Sequence, residues 1–189
     1  ILKENIDLGV FIAVCRAKNK EGKGRLSLAE LLENYYWYMG NAGIFITRTT
    51  FVRENLSKYG YDFFNECWPQ TQLMILGLFQ HTDLSAWVGN LYLPGDSLHE
   101  EVMVYNSYYL WRTCCYDLII SINDLRHLIS DETVIAAKTY LKKNIVQQFF
   151  NILQCGVFVD EPVIRKKTAK HIIQHLNLFS GYEKIFLLA

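Results

Sequence analysis

Two histidines near the end of the chain have the spacing best suited to chemistry. His171 and His175 are four residues apart, so on an α-helix both rings would share one face. Such a pair can supply half of a zinc site. No glutamate follows His171, so an HExxH motif is missing and the other ligands would have to come from a distant segment. We interpret the pair as incidental, with metal ligation by His171 and His175 as the alternative.

A second pattern links an arginine to the first of these histidines. Arg165 and His171 are separated by five residues, which resembles the Arg-x(4–6)-His motif of HEPN-type ribonucleases, a helical and dimeric family. In that family a small polar residue usually follows the arginine, whereas here Lys166 does. The resemblance implies that the two side chains stabilise and protonate a phosphodiester transition state. A HEPN-like ribonuclease or a metal-dependent enzyme is therefore one alternative function.

A third set of candidate ligands repeats at a spacing of four: Asn123, His127 and Asp131. It resembles the second metal motif of terpene synthases, in which Asn123 and Asp124 match but His127 replaces a serine and Asp131 a glutamate. The aspartate-rich first motif of that family has no counterpart in the sequence. We interpret the set as a polar helix face and predict no cofactor.

Basic residues suggest two places where nucleic acid could bind. The segment from Leu28 to Tyr59 is similar to a helix-turn-helix, with a second helix over Thr50–Tyr59, although the intervening turn is long and apolar. The contact residues would be Arg48, Thr50 and Arg53, or, near the end of the chain, Arg165, Lys166 and Lys170. Nineteen basic residues balance nineteen acidic ones, so binding would need such local patches. A DNA-binding transcriptional regulator is the other alternative function.

Aromatic residues favour a different use of the chain. Ser27 and Glu30 form a capping box that begins a helix ending at Gly40, and its surface is aromatic on nearly every side. Tyrosine and tryptophan dominate the binding hot spots of protein interfaces. The candidate partner-binding residues are Tyr35, Trp37 and Tyr38, together with Trp87 in the connector His81–Asp96.

One long apolar stripe predicts the architecture that holds these residues. From Val104 to Ile129, apolar side chains recur at spacings of four and three, which is typical of a helix. A capping box of Ser97 and Glu100 predicts that this helix covers residues 98–129. We predict an all-α helical bundle of six to seven helices around it, because no run alternates long enough to indicate a sheet. For Leu8–Cys15, a strand competes with a helix that Gly9 weakens.

Composition sets the remaining expectations. We predict a single helical domain over 1–189, with a possible small subdomain over 1–60. Five scattered cysteines without a CxxC motif indicate free thiols and an intracellular, cytoplasmic protein. No apolar run is long enough to span a membrane. The function predicted first is a non-enzymatic interaction or regulatory domain that binds a protein partner or forms a homodimer.

Overall fold

The computed structural model describes residues 8–13, 24–39, 45–64, 68–89 and 106–179. The first part of the chain holds β1 (Leu8–Ala13), β2 (Gly24–Leu26), α1 (Leu28–Met39), β3 (Phe45–Thr47), α2 (Thr49–Tyr59), α3 (Pro69–Gln80) and β4 (Ser85–Gly89). The second holds α4 (Ser107–Trp111), a π-helical segment (Arg112–Tyr116), α5 (Asp117–Leu125), α6 (Asp131–Phe158) and α7 (Pro162–Gln174). Short 3-10 turns cover Tyr61–Phe63 and Leu176–Leu178.

The all-α prediction is wrong, because the chain contains a four-stranded mixed sheet in addition to its helices. The strand order is β2-β4-β1-β3. Strand β1 pairs in parallel with β4 and antiparallel with β3, and β2 pairs antiparallel with β4. The alternative of a strand at Leu8–Cys15 is the one that the structure confirms.

The strands escape detection because they are short. β2 and β3 have three residues each and β4 has five, so none offers a long alternating pattern. Burial alternates in β1, where Phe11 is half-buried between fully buried Val10 and Ile12. It also alternates in β4, where Trp87 is half-buried between buried Ala86 and Val88. β4 lies in the segment that the sequence suggested was a connector. These strands are stabilised by pairing with segments that are distant in the sequence. The pattern of residues within a short segment does not reveal such pairing.

Two local signals in the sequence, the capping box of Ser27 and Glu30 and the glycine at position 77, correspond to features of the structure. At the start of α1, the Ser27 backbone N–H donates to Glu30 Oε2 at 2.9 Å and the Glu30 N–H donates to Ser27 Oγ at 3.3 Å. Gly77 in α3 permits close approach to α2, since a Cβ at that position would lie 2.1 Å from Cγ of Phe51. Both contacts fix helices that belong to the same unit as the sheet.

The long central helix is shorter than predicted. Residues 90–105, which include the expected capping box of Ser97 and Glu100, lie outside the described residues. Helix α4 begins at Ser107, and the Asn106 side chain accepts from the Tyr109 N–H at 2.8 Å. The helical run ends at Leu125, and α6, with 28 residues, is the longest described helix. The apolar stripe nevertheless contributes buried residues, because Trp111, Leu118 and Ile122 have no exposed surface.

The chain divides into two compact units. One comprises Ile1–Pro94 with Ile120–Tyr140, and the other Gly95–Ile119 with Leu141–Ala189. Helices α5 and α6 contribute residues to both. The boundary near residue 60 and the single-domain organisation stay predictions. In the part of the chain that the structure describes, no helix combines the length and apolar character needed to cross a membrane.

Candidate functional site

The aromatic residues of α1 lie mostly in the core. Tyr35 is 2% exposed and Tyr36 is fully buried, with its ring edge-on to Tyr140 at a centroid distance of 6.3 Å. Burial, with a smaller contribution from the charge of Asp124, raises the pKa of Tyr36 far above its ordinary value. Trp37 is half-buried. The Tyr38 side chain lies outside the described residues. These rings therefore pack the first unit more than they present a binding surface.

Trp87 lies in the middle of strand β4. It is half-buried and stands opposite Phe11 on one neighbouring strand and Arg25 on the other. Phe11 in turn stands opposite Ile46, which is 52% exposed. Residues opposite one another on neighbouring strands point to the same face of a sheet. Ile46, Phe11, Trp87 and Arg25 thus form one cross-strand row, on the face opposite to buried Val10 and Ile12.

The residues of the supposed helix-turn-helix sit beside this sheet. Strand β3 lies between α1 and α2, in place of the short turn of about four residues that such motifs have. Arg48 precedes the first turn of α2, and its Nε donates to the Leu8 carbonyl oxygen at 2.5 Å. Thr50 and Arg53 are exposed on α2. Arg48 therefore anchors the start of α2 to strand β1.

In the second unit, His171 of α7 and His175, which follows the last residue of α7, pack against the start of the helical run from α4. The Trp111 indole N–H donates to Nδ1 of His171 at 2.9 Å, and Trp111 itself has no exposed surface. The rings of His171 and His175 stack at a centroid distance of 4.3 Å. Tyr116 lies edge-on to both, at 4.8 Å from His171 and 4.6 Å from His175. We call these four residues the histidine cluster.

Hydrogen bonds fix the proton positions on both rings. An indole N–H only donates, so Nδ1 of His171 must be the accepting nitrogen and the neutral ring carries its proton on Nε2. Nδ1 of His175 lies 2.8 Å from the His171 carbonyl oxygen, which only accepts, so His175 donates there. Burial lowers the pKa of His171, and the nearby charges of His175, Arg112 and Lys167 lower it further.

This arrangement opposes metal ligation through His171. A ligand Nε2 needs its lone pair free, which would move the ring proton to Nδ1 and face it against the Trp111 N–H. Within the described ranges, no three His, Cys, Asp or Glu side chains converge as a metal site would require. His127 and Asp131 belong to different segments, because α5 ends at Leu125 and α6 begins at Asp131.

Arg165 and His171 point to different faces of α7. Six residues at 100° each place them about 120° apart around the helix axis. His171 belongs to the histidine cluster, whereas Arg165 borders a groove between α6 and α7. The helix therefore does not bring the pair together as the HEPN-like pattern would need.

The groove between α6 and α7 is a concave feature of the second unit. It has a volume of about 350 Å³ and is lined by one face of each helix, mainly by apolar side chains. On α6 the lining includes Leu153, 54% exposed, and Val157, 63% exposed, and on α7 it includes Ile173, 61% exposed. Gly156 lies in the groove wall, where an added Cβ would be 3.9 Å from Cγ of Arg165. Large apolar side chains thus face solvent along both walls.

A buried polar network closes the base of the groove. The Ser107 backbone N–H donates to the two carboxylate oxygens of Asp160 at 3.1 and 3.2 Å, and its hydroxyl group also donates to that carboxylate. The hydroxyl oxygens of Ser107 and Thr168 are 2.8 Å apart. Thr168 donates to the Ile164 carbonyl oxygen at 2.9 Å. The network satisfies a backbone donor at the start of α4 and joins it to α7.

The predicted basic residues lie along α7. Arg165, Lys166 and Lys170 are all exposed. Lys167, between them, lies over the ring of Tyr108 at 3.9 Å on the side of the histidine cluster. By contrast, α6 carries no charged residue from Asn144 to Phe158. The positive charge beside the groove therefore comes from α7.

Sequence reasoning missed a second apolar stripe on α6, which supplies Leu153 and Val157 to the groove. Val146, Phe150, Leu153 and Val157 recur at spacings of four and three, next to the stripe of Ile145, Phe149 and Ile152 that fills the core. Two adjacent apolar stripes on one helix are more than a single core contact needs. The second apolar stripe was therefore the feature of the sequence that could have indicated the groove.

Comparison with known proteins does not identify the chain, since no family model, curated protein or solved structure matches it.

Proposed function

We propose that the chain is a non-enzymatic interaction domain that binds a helical segment of a partner protein in the groove between α6 and α7. The observation that carries the proposal is the exposure of Leu153, Val157 and Ile173, each more than half accessible, along the walls of one groove. Apolar surface collected in a concave patch is typical of a binding site. An intracellular setting is part of the proposal, supported by the buried thiols of Cys114 and Cys115, neither of which forms a disulfide.

A helix suits this groove better than an extended strand. Strand addition needs a free edge of backbone donors and acceptors, which the interior of a helix does not offer because its backbone groups bond internally. The walls are two helix faces, spanning Ile152–Val157 on α6 and Arg165–Ile173 on α7. Nine residues of helix measure about 13 Å, enough for two to three turns of an added helix.

Binding of a designed peptide tests the proposal. The probe is a fluorescently labelled amphipathic helix of about 18 residues, with leucines at i, i+3, i+4 and i+7 and neutral glutamines elsewhere. We expect saturable binding by fluorescence anisotropy and a loss of tenfold or more in affinity with Ile173→Glu, which buries a charge in the groove.

The matched control is Val163→Glu on the same helix. Val163 is also apolar and 74% exposed, but it does not line the groove, so affinity should stay unchanged. Absence of binding to the wild-type protein, or equal losses in the two variants, would contradict the proposal.

A further inference from the structure

We infer that the groove selects a helix with acidic residues along one flank of its apolar face. This inference rests on the proposed function and names the chemistry of the partner. It starts from the asymmetry of the two walls: α6 has no charge from Asn144 to Phe158, whereas α7 carries Arg165, Lys166 and Lys170.

Helix geometry places these cations at the rim. Counting 100° per residue, Ile173 lies about 80° from Arg165 around α7, Lys166 about 100° and Lys170 about 140°. Ile173 and Arg165 both line the groove, so Lys166 and Lys170 follow directly beyond its edge. Lys167, about 200° from Arg165, points to the opposite side, as its position over Tyr108 shows. One rim of the groove is therefore basic.

Within the described ranges, the cations at the rim are not neutralised by carboxylates. Among the described residues, none of Arg165, Lys166 and Lys170 forms an ion pair with a carboxylate. Of the two acidic residues that precede α7, Asp160 is buried and holds Ser107, and Glu161 is exposed at the N-terminal end of the helix. Arg165 itself lines the groove, and its Cγ lies near Gly156 in the α6 wall, 3.9 Å from where a Cβ at that position would be. Its guanidinium is suited to bidentate pairing with a carboxylate.

The same charges disfavour a second copy of this chain as the occupant. In a two-fold dimer the identical surface is presented by both protomers, so each basic rim would have to be met by groups of the same groove. The described part of the groove and its α6 wall offer no carboxylate for that role. An acidic partner helix both covers the apolar walls and neutralises the basic rim. A basic helix would be disfavoured, because like charges would face one another across the interface.

Three peptides of the same apolar pattern separate the possibilities. Their flanks carry Glu, Gln or Lys, and binding is measured by fluorescence anisotropy at low and high salt. We expect the Glu-flanked peptide to bind at least tenfold more tightly than the Lys-flanked one, with the preference reduced at high salt.

Reversing the charge at two neighbouring lysines tests whether the preference for the Glu-flanked peptide depends on the basic rim. Lys166→Glu should weaken the Glu-flanked peptide several-fold and strengthen the Lys-flanked one. Lys167→Glu changes the net charge equally but on the other side of α7, and should leave the preference in place. Circular dichroism of both variants checks that they are folded.

The outcomes are distinct. If all three peptides bind equally, or if Lys167→Glu acts as strongly as Lys166→Glu, the inference is overturned and the proposed function stands. If no peptide binds, the proposed function itself fails. If light scattering shows a dimer that Ile173→Glu dissociates, the occupant is a second copy and the inference is overturned.

Discussion

Helix α7 has two faces that differ in what they contact. One face carries His171 and His175, whose ring nitrogens make hydrogen bonds to Trp111 and to backbone and whose rings pack on Tyr116. The other carries Arg165 and Ile173, which are exposed beside the groove. The two histidines, which look most suited to chemistry in the sequence, therefore serve packing, whereas Ile173, which looks ordinary, is exposed in the groove.

This difference teaches how to weigh residue type against surroundings. A histidine whose Nδ1 accepts from a buried indole is held in one tautomer, and its partly buried ring packs against the aromatic core. An isoleucine with 61% of its surface exposed gains little from the fold of its own chain. The comparison predicts that changes on the first face reduce stability and that changes on the second reduce binding.

The largest expected effect is at Trp111. Trp111→Ala removes a fully buried ring that lies 6.4 Å from Phe149 and 5.6 Å from Phe179 between centroids, and it leaves His171 Nδ1 without its donor. We expect a loss of about 3–5 kcal/mol in the free energy of unfolding, measured by urea denaturation. Leu153→Ala on the groove face is the comparison and should cost no more than about 0.5 kcal/mol. Similar losses in both variants would remove the distinction between the faces.

The next effect concerns the network at the base of the groove. Asp160→Ala leaves the buried N–H of Ser107 without its acceptor, so we expect a loss of about 1–3 kcal/mol in the same measurement. Glu161→Ala is the matched control, because the neighbouring Glu161 side chain is exposed and makes no capping hydrogen bond to α7. A variant at Asp160 as stable as the control would show that the network contributes nothing.

Local features of the fold were predictable from the sequence, because they depend on residues a few positions apart. The capping box of Ser27 and Glu30 and the proline at the start of α7 belong to this class. The sheet was not, since β4 is only five residues long and is paired with strands distant in sequence. The bond between Trp111 and His171, 60 positions apart, also arises from tertiary packing alone. The groove was only partly predictable. The two apolar stripes of α6 are visible in the sequence, but which of them is buried depends on the helices that pack against α6.

A smaller effect concerns the pH dependence of stability. The pKa of His171 is lowered by burial and by the charges of His175, Arg112 and Lys167, while in the unfolded chain it returns to about 6.5. The unfolded state then binds more protons, so this contribution to stability is present above pH 6.5 and is lost as the pH falls through the lower folded-state value. His171→Gln should flatten the stability profile in that window.

The Trp111→Phe variant assigns part of this effect to one hydrogen bond. The variant keeps an aromatic ring but removes the N–H that favours the neutral form of His171, so the pKa of His171 should rise. Titration of the imidazole C–H signals by NMR measures it directly. An unchanged or lower pKa would mean that the bond does not stabilise the neutral ring.

The smallest effect on stability is expected at the groove. A small loss there would show that the substituted residue is not part of the core. Ile173→Ser removes apolar surface that is 61% exposed, so the free energy of unfolding should change by no more than about 0.5 kcal/mol. Leu141→Ser on α6, 8% exposed, is the buried counterpart and should cost about 2 kcal/mol or more. If Ile173→Ser were as costly as Leu141→Ser, Ile173 would be part of the core and the groove would not be a free surface. If Ile173→Ser leaves the free energy of unfolding unchanged but lowers the affinity for the glutamine-flanked peptide, Ile173 serves binding and not folding.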